Sequence, residues 1–182
     1  MSTIAFDGTN FWTSDYSGTN NGFYIDATTG LNLRTVSFGL ASTNMDGMEY
    51  FNGKLIMNRC DACGVYDVYD LDGNVLQANF ITSEVQSTGI AYDGTNFLVS
   101  DIFNNRLSVW DGSTGAFIKF ITLDGTASNG GFGRLIEDLS VDYAQRPDTG
   151  GGNGTVPEPA SVLLLTSSLG ALLFYGRRKM RD

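Results

Sequence analysis

One ten-residue stretch of this chain occurs twice in almost the same form, and this repetition limits the fold more than any other feature. Phe6–Asp15 reads FDGTNFWTSD, and Tyr92–Asp101 reads YDGTNFLVSD, 86 residues later. A degenerate third copy, EYFNGKLIMNRCD, lies midway between them at Glu49–Asp61. The sequence therefore predicts an internal repeat with a period of about 43 residues.

A second landmark follows each copy and keeps the same period. The segments YIDATTG, VYDLDG and VWDGSTG end 43 and 42 residues apart, at Gly30, Gly73 and Gly115. Between the landmarks, short apolar or aromatic runs alternate with Gly, Asn and Asp turns, a pattern typical of short strands. We predict four strands per unit, although an ordinary meander with chance similarity is an alternative. The units lie at about 4–38, 48–81 and 89–123, with a partial unit at 137–143.

Four strands in about 43 residues are typical of a β-propeller blade. The Ala-Tyr-Asp-Gly-Thr-Asn opening and Val-Trp-Asp-x-x-Thr-Gly close of the third unit resemble NHL-like repeats of six-bladed propellers. The resemblance implies an all-β body at residues 1–143, an incomplete propeller of about three blades. Because propellers close with about four to eight blades, we expect this chain to be the C-terminal part of a longer protein. An oligomer that closes the ring is the alternative.

The charge and composition of the chain argue against two classes of function for the body, nucleic-acid binding and the usual hydrolases. The net charge of −9 disfavours nucleic acid as a partner, because an acidic body repels phosphates. The chain has no histidine, which removes the commonest general base and metal ligand. The usual hydrolases are therefore not expected, while carboxylate chemistry stays open.

Three aspartates follow the second strand of their units and are the candidate metal ligands. Asp15 and Asp101 hold equivalent places, and Asp61 lies near the same place in the middle unit. Loops at blade ends line the surface or channel of a propeller, where oxygen ligands from several blades could bind Ca²⁺. The competing interpretation is structural, since Asp favours turns by bonding to nearby backbone. No other cofactor is expected.

Cys60 and Cys63, in the order Cys-Asp-Ala-Cys, are the two cysteines of the chain. A structural zinc site would need further ligands, and a redox motif would need a thioredoxin-like context. In an exported protein we expect a local disulfide, with two free thiols as the alternative.

The sequence changes character after residue 143. Residues 144–155 form a Gly-rich linker, and residues 160–176 form an uncharged, largely apolar run. Seventeen residues are just long enough to span a thin hydrocarbon core as one helix. A basic cluster follows and is expected to hold that end in the cytoplasm; its members are Arg177, Arg178, Lys179 and Arg181.

A short proline motif precedes the apolar run: Val156, Pro157, Glu158 and Pro159. The order of proline motif, apolar helix and basic stop over residues 156–181 matches the PEP-CTERM sorting signal of Gram-negative bacteria. The resemblance implies export, processing by an exosortase near the motif, and a setting in which exopolysaccharide and biofilm matrix are made. Such proteins carry an N-terminal signal peptide, and none is present here, which agrees with the expectation of missing N-terminal blades.

These features predict an exported bacterial surface or matrix protein. An inner-membrane precursor would hold the body outside the cytoplasm, and processing would then release it to the surface or medium. We expect the body to act in presentation and binding, with exopolysaccharide or other matrix material as a partner, and not in catalysis. The alternatives are a lactonase-like or lyase-like propeller enzyme that uses channel carboxylates and Ca²⁺, and a cofactor-free matrix scaffold.

Overall fold

The computed structural model describes residues 3–15, 19–40, 45–59, 63–83, 87–123, 136 and 138–140. The chain divides into two compact units, Met1–Gly151 and Gly152–Asp182, and all described residues belong to the first unit. The predicted linker at 144–155 and the predicted sorting signal at 156–181 lie outside the described residues.

The described residues form three antiparallel sheets, each with four strands in sequence order. The first sheet contains β1 (Ile4–Phe6), β2 (Phe11–Ser14), β3 (Asn21–Ile25) and β4 (Asn32–Ser37). The second contains β5 (Met48–Phe51), β6 (Lys54–Asn58), β7 (Val65–Tyr69) and β8 (Val75–Thr82). The third contains β9 (Ile90–Tyr92), β10 (Asn96–Asp101), β11 (Arg106–Asp111) and β12 (Phe117–Thr122). The prediction of an all-β body with three four-stranded sheets is confirmed.

The repeated turns are built by the same hydrogen bonds in different sheets. The Asp7 carboxylate accepts the backbone N–H groups of Thr9 and Asn10, and Gly8 has a φ of 97°. The Asp93 carboxylate accepts the corresponding pair, and Gly94 has a φ of 96°. These positive φ angles favour glycine, because a side chain there meets its own backbone. The two copies of DGTN are therefore equivalent structures.

The second landmark also repeats a turn, in which an aspartate caps the loop between the third and fourth strands. Its carboxylate accepts two or more donors from the loop, which lowers the pKa of Asp26, Asp70 and Asp111. The leading donor is the Thr29 backbone N–H for Asp26, the Asn74 side chain for Asp70, and the Thr114 side chain for Asp111. None of these three aspartates is buried in the core, so they stabilise the turns and not the core.

The sheets pack face to face through two apolar cores. Trp12, Phe38, Met48, Leu55 and Tyr69 are among the residues buried between the first and second sheets. The core between the second and third sheets contains buried residues from both: Ile56, Tyr66, Phe80, Phe97 and Trp110, among others. The first strands lie in succession, with β1 beside β5 and β5 beside β9. This stacking of similar four-stranded sheets is compatible with a propeller-like fold.

Candidate functional site

The ends of the second strands are the candidate functional site, because the predicted ligands Asp15 and Asp101 lie there. β2 and β6 end at the polar residues Ser14 and Asn58, and Ser100 holds the equivalent place one residue before the end of β10; all three are buried. The next residues along the chain are Asp15, Arg59 and Asp101. The equivalent residue of the middle unit is thus Arg59, and Asp61 lies outside the described residues.

The polar strand ends connect one sheet to the next. The Ser14 hydroxyl donates to the Met45 carbonyl oxygen at 3.2 Å, and the Asn58 amide donates to the Ser87 carbonyl oxygen at 3.0 Å. Met45 and Ser87 lie on the segments that lead into β5 and β9, the first strands of the following sheets. Since each bond is buried, loss of either donor would leave an unsatisfied carbonyl in the interior. This role was not predicted from the sequence, although the repeated placement of Ser, Asn and Ser before the charged residue is a usable signal.

Asp101 is held by groups of its own sheet. Its side chain is 1% exposed, and one carboxylate oxygen lies 2.6 Å from the Arg106 Nε atom. The other oxygen accepts the Asn104 amide N–H at 2.8 Å. The Arg106 guanidinium also lies over the Phe120 ring, 3.7 Å from its centroid. Both carboxylate oxygens of Asp101 therefore have donors within the turn and strand that follow it.

The middle sheet has a second ion pair with a buried carboxylate. Here the residue at the end of the second strand is the cation, and its partner is the anion. The Arg59 Nε atom lies 2.9 Å from the Asp67 carboxylate, which is fully buried. Asp67 also accepts the Asn79 backbone N–H at 2.7 Å, at a point where Asn79 has a φ of 53° and the pairing of β7 with β8 is irregular. Burial and the neighbouring Asp67 charge raise the pKa of Tyr69, so this hydroxyl stays neutral.

Glu49 is a buried carboxylate on the first strand of the second sheet. Its side chain accepts the Tyr50 backbone N–H at 2.8 Å and the Tyr92 backbone N–H at 3.3 Å. Tyr92 belongs to β9, so this carboxylate bonds to two neighbouring sheets. Glu49 thus makes a further polar connection between sheets, in addition to those from the strand ends.

The Ca²⁺ hypothesis is not resolved by these positions. Asp15 is half-buried at the end of β2, and its backbone N–H donates to the Asn21 carbonyl oxygen. Within the described ranges, no group of three or more His, Cys, Asp or Glu residues could hold a metal ion. Because Asp61 is outside those ranges, calcium binding by the three aspartates stays a prediction.

The cysteine and membrane predictions fall partly or wholly outside the described residues. Cys63 is disulfide-bonded. Its predicted partner, Cys60, is not among the described residues, so the pairing stays a prediction. In the part of the chain that the structure describes, no helix has the length and apolar character needed to cross a membrane. The predicted span at 160–176 lies outside that part.

One apolar cavity lies at the side of the first sheet that faces away from the second. Its volume is about 320 Å³, and Ile4, Phe6 and Phe11 form its wall on the first sheet. The Phe6 and Phe11 rings are 5.2 Å apart. Residues Asp138, Leu139 and Ser140 form the other wall.

Comparison with known proteins supports the fold. No family model and no curated relative matches the chain. Its fold is similar to that of glutaminyl cyclase from Myxococcus xanthus, with a TM-score of 0.59 and 16% identity over 78% of this chain and 62% of that one. It is also similar to U3-55K, with a TM-score of 0.52 and 9% identity over 77% of this chain and 42% of that one.

At identities this low, the likeness shows a β-propeller-like all-β fold and no more. The chain spans less than two thirds of each of these two structures. Although one of them is an enzyme, the likeness does not decide whether this chain catalyses a reaction.

Proposed function

We propose that this chain belongs to an exported bacterial surface or matrix protein, in which a propeller-like body is presented outside the cell by a removable C-terminal anchor. The observation that carries the proposal is the order of the tail. A proline motif at 156–159 precedes the apolar run at 160–176, and four cations follow within the last six positions. An exosortase is the proposed processing partner, and the membrane is the proposed location of the precursor.

The physical chemistry of the tail supports insertion with a fixed orientation. Four cations at one end resist transfer across the bilayer, so that end stays in the cytoplasm and the body stays outside. Pro157 and Pro159 disfavour helix just before the apolar run. Residues 156–159 are therefore proposed to stay extended at the outer boundary of the membrane, where a processing enzyme can bind them.

The polar interior of the body favours presentation and binding over catalysis. The charged side chains at the strand ends are used within the fold: Asp101 pairs with Arg106, and Asp67 pairs with Arg59. Buried Ser14 and Asn58 connect neighbouring sheets. These contacts give the groups structural roles and connect the sheets to one another. We propose that the loops of these sheets bind matrix material. We also propose that this body is part of a larger propeller, in which further blades close the ring.

The proposal is tested by expressing the protein with a working signal peptide in a host that has an exosortase. The native tail is compared with a Pro157→Ala, Glu158→Ala, Pro159→Ala variant by membrane fractionation and immunoblotting. The native body should leave the inner membrane, and the variant should stay there at full length. A matched control, Thr155→Ala with Ser161→Ala, changes residues beside the motif and should be released like the native protein.

Two results would oppose the proposal. If the native chain and the triple variant both stay in the membrane, the segment is a plain anchor and no sorting signal. If both appear in the cytoplasm, the apolar run does not act as a membrane span.

A further inference from the structure

The outer strand of the third sheet, β12, exposes apolar side chains along its length. All six residues of the strand are exposed. The large apolar ones are Phe117 at 47%, Ile118 at 48%, Phe120 at 43% and Ile121 at 36%. At the areas typical of such side chains, these exposures leave roughly 300 Å² of apolar surface on one strand. An exposed apolar patch of a few hundred Å² often marks a binding surface.

The outer strands of the other two sheets have features that hinder pairing with another chain, because charges and β-bulges disrupt a free sheet edge. β4 carries Arg34, which forms an ion pair with Asp72 of the second sheet. The pairing of β8 with β7 is irregular at two places, and Asn79 of β8 has a φ of 53°. By contrast, β12 pairs with β11 in regular register from Lys119 to Thr122. β12 is therefore the outer strand best suited to pair with a further strand.

The free edge of β12 presents backbone donors and acceptors to its surroundings. The Leu123 N–H donates to the Asn105 carbonyl oxygen, toward β11. Because backbone bonds alternate along an antiparallel strand, Ile121 also bonds toward β11, whereas the N–H and C=O groups of Phe120 and Thr122 point away from it. Among the strands that the structure describes, none pairs with this edge. The edge can therefore accept another strand.

The ring of Phe120, at the centre of this edge, is held in place by its own sheet. The Arg106 guanidinium lies 3.7 Å from the ring centroid, and its Nε atom is paired with the buried Asp101 carboxylate. The Phe117 ring lies 4.9 Å away on the other side of the strand register. A ring that is already fixed loses little conformational entropy when a partner covers it.

We propose that β12 pairs with β12 of a second copy of this chain, antiparallel and centred on Phe120, so that two four-stranded sheets join edge to edge. Phe120 of each copy lies opposite Phe120 of the other, and the two residues exchange backbone hydrogen bonds. Thr122 lies opposite Ile118 of the other copy. A register centred on Lys119 would place like charges opposite each other, which is unfavourable. In the proposed register Lys119 lies opposite Ile121.

The symmetry and size of the contact indicate a closed and weak dimer. A two-fold axis uses the same edge on both copies, so β12 is not left free to add a third copy. β12 has no acidic residue, so the net negative charge of the chain is not placed at the contact. The buried surface is below about 1,200 Å², as in transient complexes. The dimer joins outer edges and thus differs from an oligomer that closes the ring through sheet faces.

The register is tested by disulfide cross-linking of full-length chains in a mild detergent, with Lys119→Cys copies mixed with Ile121→Cys copies. In the proposed register these positions lie opposite each other with Cα atoms about 4.5 Å apart, which is within reach of a disulfide. Mild oxidation of the mixture should give a covalent dimer. Either variant alone should give little, because its cysteines are then offset by two residues and lie beyond about 7 Å. No dimer from the mixture, or as much dimer from either variant alone, would overturn the proposal.

Sedimentation equilibrium of the full-length chain in density-matched detergent tests the role of Phe120. The unmodified chain should pass from monomer to dimer between about 10 µM and 1 mM, as expected for a small interface. Phe120→Thr places the residue type of Thr35, the fourth residue of β4, at the fourth residue of β12. This variant should raise the dissociation constant about tenfold or more, because both copies lose the central ring.

Leu33→Thr is the matched control, since it removes an exposed apolar side chain from β4 and should leave the dissociation constant unchanged. A chain that stays monomeric at all these concentrations would overturn the proposal. Equal dissociation constants for Phe120→Thr and Leu33→Thr would also overturn it, because association would then arise elsewhere in the chain.

Discussion

Replacement of Gly73 by alanine should destabilise the body far more than the same replacement of Gly30. The two glycines end equivalent turns in the second and first sheets, with φ angles of 88° and 72°. A Cβ atom at Gly73 would lie 2.2 Å from the Ser37 carbonyl oxygen on β4 of the preceding sheet. A Cβ atom at Gly30 would meet nothing within 4 Å. The comparison therefore separates backbone strain from contact between sheets.

The expected losses in the free energy of unfolding follow from the backbone strain and from the contact between sheets. An alanine at positive φ costs roughly 1–2 kcal/mol in either turn. At Gly73 the backbone of β4 must also move, and overpacking of this kind costs roughly 1–3 kcal/mol more. Gly115 repeats the contact in the third sheet, where a Cβ atom would lie 2.0 Å from the Phe80 carbonyl oxygen on β8. Gly115→Ala should therefore resemble Gly73→Ala.

The assay is urea unfolding of the three full-length variants in a mild detergent, followed by the fluorescence of Trp12 and Trp110. With a denaturant dependence of about 1–3 kcal/mol/M, Gly73→Ala and Gly115→Ala should unfold about 1 M urea earlier than Gly30→Ala. If all three variants unfold at the same urea concentration, these turns do not pack on the preceding sheets, and the stacking described above is wrong.

Three further predictions concern charges and cysteines. Arg106→Ala should lower the free energy of unfolding by about 3–5 kcal/mol, because it leaves the buried Asp101 carboxylate without its cation. Asp72→Ala, which removes an exposed pair with Arg34, should lower it by less than about 1 kcal/mol. Equal losses in thermal or urea unfolding would contradict the structural role of Asp101. The folded state lowers the pKa of Asp26, Asp70 and Asp111 below the ordinary 3.8, so their stabilising contribution is present above that value and is lost as the pH falls through the folded pKa. A variant with all three changed to Asn should therefore lose stability less steeply below about pH 4 than the parent, and parallel pH curves would refute this assignment. Cys60 and Cys63 of exported protein should react with a thiol reagent only after reduction, and full labelling without reductant would exclude the predicted disulfide.

The repeat and its strands could be predicted from the sequence because they depend on local chemistry. Gly and Asn residues at fixed spacing set the turns, and short apolar runs between the turns set the strands. In the third unit, the turn sequence at 93–95 lies between β9 (Ile90–Tyr92) and β10 (Asn96–Asp101), and the GSTG turn at 112–115 lies between β11 (Arg106–Asp111) and β12 (Phe117–Thr122). A local signal was sufficient to locate these elements.

Contacts between sheets could not be predicted in the same way. Nothing local marks Gly73 as a residue that packs against the Ser37 carbonyl oxygen, or Glu49 as an acceptor of the Tyr92 N–H group. The irregular pairing of β8 at Asn79 likewise depends on Asp67, which lies 12 residues earlier in the chain. These features arise from neighbours that are close only after the sheets stack.

The candidate site also has one part that the sequence predicted and one part that depends on contacts between strands and sheets. The sequence identified the charged residue after the second strand, Asp15 or Asp101, as a metal candidate. The structure gives Asp101 a partner on the next strand, Arg106, and places Arg59 at the equivalent position of the middle sheet. The buried residue just before it connects the sheets in two of the three units, through Ser14 and Asn58. Pairing across strands, and not position along one strand, decides what each of these side chains does.

The most direct test of the account is the intact mass of the protein recovered outside cells of an exosortase-containing host, after export with a working signal peptide. The account predicts a released form that ends near residues 156–159 and lacks both the apolar run at 160–176 and the four terminal cations. Release with residues 160–181 still attached, or full-length protein found only in the membrane, would contradict it.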